Sequence, residues 1–592
     1  MNDKEIIKKL YRYIKPYRGK FTAALISLAM VGSLMPSMIA MIKPFMDSIF
    51  TESADIVIPI VNITVPHTIP KTTMLLYFSG IVVGLALLKG IFDYIGKYFM
   101  AYIGQNITKD LRNRIFRHLM YLSLSYYMIN ATGQLLSRMT NDIKYLESSV
   151  VKLPARLIRD GLQLVILVLL IFLTNWKWAI LAIFGFVIII LPLIKFSDVL
   201  RKIGRSGHQK MADIYDFLSE KIAGIRLIKA FSMEKEEQRL RRKVNQKFVD
   251  TILKSEKINA FQTPFIEFLS AVGIAAILLL GGNAVIKGIV LPGDFFLFIG
   301  LVVGLYEPAK KFAGINQQLQ RSMAAAERIF KILDQRDHIL QSPNPRELAE
   351  FRDSIEFKDV TFCYDKGVEV LKDINLKIRK GEIAAFVGPS GAGKTTLVNL
   401  IPRFADPAFG EIILDGTPLT EYRIKSIRNK ISMVMQDVIL FNMTIKDNIC
   451  YGLGTFTQEE VERYAKAAHI HDFIFGLTHG YETVVGEKGV KLSGGQKQRI
   501  SIARALIKDP EILILDEATS HLDTESEQAV QKALDNLMKD RTTFVIAHRL
   551  STIRKADKII VLDEGKIIEE GRHEELLAVS GVYRKMFEMQ SL

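Results

Sequence analysis

Apolar positions along this chain fall into two regimes. Through roughly the first 330 residues they gather in unbroken runs, whereas beyond about residue 350 they come in short bursts separated by charged and glycine-containing turns. A run of about 20 apolar residues can carry a helix across a bilayer. Six such runs occur, at roughly 21–45, 72–95, 157–175, 178–197, 261–281 and 294–312. The third and fourth are joined by "TNWKW", whose Trp176 and Trp178 mark an interfacial turn, and the fifth and sixth by a short glycine-rich loop. The segments 96–156 and 198–258 keep a polar helical period, which predicts that membrane helices run on past the bilayer before turning back. The expected tips lie near "YYMINATG" (126–133) and "EKIAGIRLIKAF" (220–231). At 334–351 charge, Ser and Pro break the helical pattern. The expected organisation is therefore a membrane domain over 1–333, a linker over 334–351 and a soluble α/β domain over 352–592.

The net charge of +15 is unevenly placed. Lys4, Lys8, Lys9, Arg12, Lys15, Arg18 and Lys20 precede the first span, the loop 48–73 carries only Lys71, and the segments 96–156 and 198–258 are dense in Lys and Arg. Basic loops stay in the cytoplasm, so a multi-pass protein with both termini cytoplasmic is expected. A basic amino terminus that runs directly into a full-length span reads as an anchor rather than a cleavable signal. Without aromatic residues interleaved among the basic ones, the charge points away from a nucleic-acid partner. Cys363 and Cys450 alone imply neither a disulfide framework nor a thiolate metal site.

Chemistry gathers in the second part. "GEIAAFVGPSGAGKTTLVNLI" orders an apolar strand, a glycine-rich turn and a helix, as a phosphate-binding loop requires. Within Gly388, Pro389, Ser390, Gly391, Ala392, Gly393, Lys394, Thr395 and Thr396, the glycines let backbone amides approach a nucleotide's phosphates. Lys394 reaches the β- and γ-phosphates, and Thr395 can bind Mg²⁺. "EILILDEATSHLD" is an apolar strand ending in two carboxylates: Asp516 suits the metal shell and Glu517 the polarising of an attacking water. In "TTFVIAHRL", His548 follows another apolar strand and can reach the γ-phosphate.

With "KLSGGQKQRISIARAL" lying between the glycine-rich loop and the Asp-Glu strand, residues 352–592 resemble the nucleotide-binding domain of ATP-binding cassette transporters. The resemblance implies ATP and Mg²⁺ as cofactors, and two cassettes sandwiching two ATPs head to tail. Ser493, Gly494, Gly495, Gln496 and Asp523 of one chain would then contact the ATP held by the other. It also implies that Tyr364 stacks on adenine, that Gln436 senses Mg²⁺ and joins Glu517 and His548 in catalysis, and that Glu487 lies in an exporter-specific loop. Ser520-His521-Leu522-Asp523 departs from the usual Ser-Ala-Leu-Asp. The implied fold class is a membrane α-helical bundle of six transmembrane helices, of the exporter type, fused to a P-loop α/β nucleotide-binding domain and working as a homodimer.

Intramembrane charge bears on the cargo, because a charge facing lipid is costly and tends to face a cavity instead. Lys89, Arg159, Asp160, Glu267, Glu307, Lys310 and Lys311 fall in or beside the spans. "LALLKGIFDY", "LIRDGLQ" and "YEPAKKFAGINQQLQRSMAAAERIFKILD" resemble the lipid A flippases of the bacterial inner membrane. That implies ATP-driven movement of lipid A, or of a lipid A-core lipopolysaccharide precursor, from the inner to the outer leaflet. Lys89, Arg159 and Lys310 would clasp its phosphates. Glu307 departs from that pattern, standing where those proteins carry a basic residue. A multidrug exporter of amphipathic compounds, using Glu267 and Glu307, is the alternative, and an ATP-gated channel or receptor is a third reading.

Overall fold

The structure is a computed structural model and describes residues 3–50, 56–58, 63–65, 70–313, 315–335, 339, 341–364, 367–490, 492–516, 524–547 and 550–591. It divides into two units, one made of Met1–Phe116 with Leu136–Asp334 and the other of Arg117–Leu135 with Gln335–Leu592.

The first unit is helical. Glu5–Phe50, Lys71–Tyr121, Thr132–Thr174 and Glu234–Ile286 are long and apolar enough to cross a membrane by length and composition. The expected fourth and sixth spans lie in the helices Trp176–Ala223 and Pro292–Ala313. Lys71–Tyr121, Trp176–Ala223 and Glu234–Ile286 hold 51, 48 and 53 residues. At ~1.5 Å per residue they are more than twice as long as the ~30 Å hydrocarbon core is thick. Their polar ends therefore extend beyond the lipid, as the periodicity predicts.

Asn175 makes the reversal between the third and fourth spans. Its extended backbone ends one helix at Thr174, and its Oδ1 accepts from Lys177 N (3.0 Å) and Trp178 N (3.4 Å) to cap the next. Trp178 then packs edge-on against Phe298, 5.7 Å between ring centroids, beside a core of Leu167, Ile171 and Leu301. Buried Asp142 holds Arg328 through two hydrogen bonds of 2.6 and 2.8 Å, tying the π-helical turn Arg138–Asp142 to the last helix, Ile315–Leu333. In the loop 48–73, Ile56–Ile58 pairs antiparallel with Ile63–Val65.

The second unit is built on a six-stranded sheet in the order Lys566–Gly571, Lys558–Asp563, Ile383–Val387, Thr542–Ile546, Ile512–Asp516 and Ile431–Val434. Only the first pair is antiparallel. Parallel strands are covered on both faces, which is why the inner ones are apolar almost throughout. Period-two alternation sorts their side chains. Ala384, Phe386, Ile512, Ile514, Phe544 and Ile546 share a core with Leu397, Val398 and Leu400 of the helix Lys394–Leu400 and with a second sheet. That sheet is antiparallel, in the order Glu369–Arg379, Ser354–Cys363, Phe409–Leu414 and Thr417–Pro418. Ala385, Val387, Leu513, Leu515 and Val545 face the other way, onto Ile500, Ile502, Ala503 and Leu506 of the helix Gly494–Ile507. Part of the stretch expected as linker is bound into this unit. Leu348 and Phe351 are buried in the first of these cores, and Phe351 N donates to Glu511 Oε2 (2.5 Å).

Candidate nucleotide site

The strand Ile383–Val387 ends in a loop that only glycine can build. Gly388, Gly391 and Gly393 take φ of +148°, +86° and +98°, a region that L side chains rarely adopt. A Cβ on Gly388 would run into the backbone oxygen of Leu562, and one on Gly393 would come within 2.8 Å of Leu371 Cδ2. Lys394 is buried across this loop, its Nζ donating to Gly388 O (2.8 Å) and Pro389 O (2.9 Å). The ammonium is thus held beside the loop amides, a combination suited to a polyphosphate. Thr395 is exposed and Thr396 buried. Tyr364 Oη bonds Thr396 Oγ1 at 3.0 Å, and its ring stands edge-on to Phe362 at 4.8 Å.

Strand register gathers the remaining chemistry at one edge. Ile546 lies level with Phe386 on one side and with Asp516 on the other, and Val434 is level with Leu515. The glycine loop, Asp516, the chain leading to His548 and the chain leading to exposed Gln436 therefore all leave the carboxyl ends of adjacent parallel strands, where α/β sheets bind ligands. Alternation puts Asp516 on the face of Ile512 and Ile514, the same face as the helix that follows the glycine loop. The hydroxyl of Thr395, the carboxylate of Asp516 and the amide oxygen of Gln436 are hard oxygen donors of the kind Mg²⁺ accepts. Glu517, His521, Asp523 and His548 lie outside the described residues.

The "LSGGQ" segment belongs to the opposite core. Ser493 caps the helix Gly494–Ile507 reciprocally with Gln496: Gln496 N donates to Ser493 Oγ (3.3 Å) and Ser493 N to Gln496 Oε1 (2.9 Å). Ser493 and Gly494 are exposed, Gln496 is half-buried and Gly495 is buried, so a preorganised helix N-terminus faces outward from the chain.

Residues 21–308 match the ABC transporter transmembrane region, and residues 371–520 match the ABC transporter family. The chain belongs to the ATP-binding cassette transporter family. It is 43% identical, over 99% of its length and 94% of the relative's, to the ATP-dependent lipid A-core flippase of Syntrophus aciditrophicus. It is also 43% identical to the ATP-dependent lipid A-core flippase of Desulfotalea psychrophila, with 100% of both chains covered. The putative multidrug export ATP-binding/permease protein YgaD of Bacillus subtilis is 37% identical, over 99% of this chain and all of its own. A bacterial Atm1-family ABC exporter with ATP bound superposes with a TM-score of 0.77 at 26% identity, covering 97% of this chain and 98% of that one. This ABC exporter is accordingly a membrane transporter that binds ATP and couples its hydrolysis to transport.

Sequence reasoning missed a clamp inside the exporter's cassette. Arg504, on the helix that starts at the signature, donates to Asn448 O (2.7 Å), Asn448 Oδ1 (3.1 Å) and Ile439 O (3.3 Å). Asn448 is fully buried and itself bonds Phe441 N and O, both at 3.0 Å. From the same helix end, Lys508 Nζ donates to Arg428 O (2.7 Å) and Ile431 O (2.5 Å). The signature helix thereby grips both the strand that precedes Gln436 and the loop that follows it. Burial pushes the Arg504, Lys508 and Arg428 cations below their ordinary values and the Cys450 thiol above its own. Nothing in the local pattern marks these residues, because their partners, backbone carbonyls and the Asn448 side chain, are remote in sequence.

Among the exporter's membrane charges, each expected cargo residue has a different partner. Arg159 Nε and Nη2 donate to buried Asp160 at 2.7 and 3.3 Å, and its Nη1 lies 3.9 Å from Asp93. Lys89 Nζ approaches Met35 Sδ at 3.4 Å. Lys310 lies over the Tyr306 ring at 5.7 Å, while Lys311 pairs with Glu307 at 3.5 Å. Glu267 and Glu307 are exposed.

Proposed function

We propose that this exporter works as a homodimer that flips lipid A, or a lipid A-core lipopolysaccharide precursor, from the inner to the outer leaflet of a bacterial inner membrane, with both termini cytoplasmic. The cargo reading rests on the two lipid A-core flippases, similar along essentially the whole chain. Support for the dimer comes from the position of the two phosphate cradles on opposite faces of one sheet. A single cassette has its glycine loop on one side and its signature on the other, so two cassettes arranged head to tail complete two sites.

In that arrangement the chain's own groups divide the work. Backbone N–H groups of the loop 388–393, other than that of Pro389, which has none, and Lys394 bind the phosphates, and Tyr364 supports the adenine. Thr395, Asp516 and Gln436 would hold Mg²⁺, which supplies charge neutralisation to the phosphoryl group when bound. Glu517 orients and polarises the attacking water, His548 steadies the γ-phosphate, and Ser493, Gly494, Gly495, Gln496 and Asp523 close the site from the partner. Residues 1–333 would form the membrane domain, 334–351 the linker and 352–592 the cassette. The tip at 126–133 falls entirely within the residues that pack with the cassette, whereas Ile222, Leu227 and Phe231 of the second tip are exposed by 64–70%. Ile439, Phe441 and Val484 of the cassette are exposed as well, which suits docking of that tip on the partner's cassette.

The test is ATPase activity in lipid nanodiscs as lipid A is titrated, on wild type and on the Lys89/Arg159/Lys310 triple alanine variant. Saturable stimulation that the variant loses supports the flippase. Stimulation by hydrophobic cations without a response to lipid A would favour multidrug export, the reading supported by exposed Glu267 and Glu307 and by the relative named as a multidrug exporter.

A further inference from the structure

We propose that the exposed face of the N-terminal helix Asp3–Ile14, with the turn that follows it, docks onto anionic phospholipid headgroups of the cytoplasmic leaflet and sets the exporter's activity through the ion pair of Lys9 with Asp334. The inference rests on the topology proposed above and is independent of what the cargo is.

This short helix has three distinct faces. Ile6 and Leu10, four residues apart, are buried, and the helix packs against Ile315–Leu333. The same side is pinned by polar contacts: Arg114 Nη1 donates to Tyr13 Oη (3.1 Å) and Tyr17 Oη to Asp110 Oδ2 (2.8 Å). The neighbouring face leaves Ile7 and Tyr11 exposed by 56% and 64%. Beyond it, Lys8, Arg12 and Lys15 are exposed at spacings of four and three, and Arg18 follows after the turn Lys15–Tyr17.

Apolar and aromatic groups beside a row of cations form the signature of a helix lying in the headgroup layer. A nucleic acid would use the cations and could stack on Tyr11, but it offers the exposed Ile7 no apolar partner. Covalent continuity fixes the depth, because the turn Lys15–Tyr17 leads directly into Arg18–Ala40, part of a membrane-spanning stretch.

The inner face supplies the consequence. Lys9 Nζ bonds Asp334 Oδ2 and lies 5.4 Å from the centre of the Phe330 ring, which Tyr13 also approaches at 6.5 Å. Asp334 is the last residue of the first unit, and the chain from Gln335 onward packs with the cassette. A lipid-seated helix therefore anchors the point at which the chain passes from the membrane helices to the ATPase.

The experiment uses the full-length protein with phosphatidylglycerol (PG) as the anionic probe and phosphatidylcholine (PC) as the neutral one. Native mass spectrometry counts retained lipids from mixed micelles, and ATPase is followed in nanodiscs of rising PG fraction. Each cation near an anionic surface is worth about fivefold in preference. K8Q/R12Q/K15Q/R18Q should therefore lose at least about tenfold in PG-over-PC preference, with its basal ATPase in pure PC unchanged. K9Q should retain PG like wild type while its ATPase no longer responds to PG. Wild-type PG preference in the quadruple variant, or a full PG response in K9Q, would overturn the proposal. The lipid A response, titrated at constant PG, is read separately, so failure of the cargo assignment remains distinguishable.

Discussion

The opposed placement of the two phosphate cradles can be tested by mixing broken chains. One chain carries Lys394→Ala, which removes the ammonium now held by Gly388 O and Pro389 O. The other carries Ser493→Arg, which blocks the signature. Losing a positioned charge at a transferring phosphoryl group costs ~10²–10³ in rate, so a homodimer of the first chain should fall to the assay floor. The second substitution also removes a helix cap worth about 1 kcal/mol, a small part of domain stability, so its inactivity would not reflect unfolding. In the mixed dimer one composite site inherits both defects, and the other combines an intact loop with an intact signature. We expect the doubly tagged heterodimer to trap one nucleotide with vanadate, each homodimer to trap none, and ATPase to recover up to half of wild type if the sites act independently. If each chain served its own ATP, both chains would be dead and the heterodimer would trap none. That result would refute the reasoning from the two faces of the sheet.

Gly388→Ala forces an L side chain into φ of +148° against Leu562 O, a strain of about 1–3 kcal/mol, and should weaken ATP binding about 10- to 100-fold in a fluorescent-nucleotide titration; unchanged affinity would contradict the loop geometry. Glu517→Gln should still bind ATP but remain closed, with steady-state turnover abolished, so retained turnover would remove Glu517 from the base role. Asp160→Asn leaves the Arg159 charge less compensated: the melting temperature should drop while the lipid A concentration for half-maximal stimulation falls, and a rise instead would place Arg159 away from the cargo. Tyr583 is buried and its hydroxyl, bonded to His573 Nδ1 at 2.7 Å, is pushed up to about 12. Its stabilising effect is complete below the unfolded value near 10 and is lost as pH rises toward about 12, a loss of about 2–3 kcal/mol. Tyr583→Phe should flatten that alkaline limb of the cassette's melting curve.

The nucleotide half was legible because its chemistry is local. The glycine loop, the apolar strand ending in Asp516 and the capped "LSGGQ" helix are each written in contiguous residues, and backbone physics turns each directly into geometry. Sequence alternation already separates Asp516 from Glu517, and strand register supplies the rest by levelling Phe386, Ile546 and Asp516. The membrane helices were equally visible as runs, and their polar continuations as a period. The Arg504–Asn448 clamp was hidden because it joins residues 56 apart through backbone oxygens. That Leu348 and Phe351 belong to a core was hidden too, since Ser and Pro nearby signal a break in helix but not where the broken chain packs.

Charge pairing in the membrane was the least legible feature, and it changes what Arg159 can offer to a phosphate. Its bidentate bond to Asp160 is short, and Asp160 is buried on the same helix, so a ligand displacing that carboxylate would leave it unpaired away from water. Asp93 is different. It stands 3.9 Å from Arg159, beyond hydrogen-bonding distance, and already has its own partner in Lys97 at 2.5 Å. A phosphate approaching the Asp93 side of the guanidinium therefore displaces no hydrogen bond, and the carboxylate it pushes aside keeps a cation. At an effective dielectric of about 20 the attraction given up is ~4 kcal/mol, which a phosphate of charge up to about −2 at a similar distance more than restores. Arg159 can thus meet a phosphorylated headgroup without breaking its buried pair. Lys89 lies four residues before Asp93 on the same helix, Lys71–Tyr121, so the same approach brings the phosphate toward a second cation.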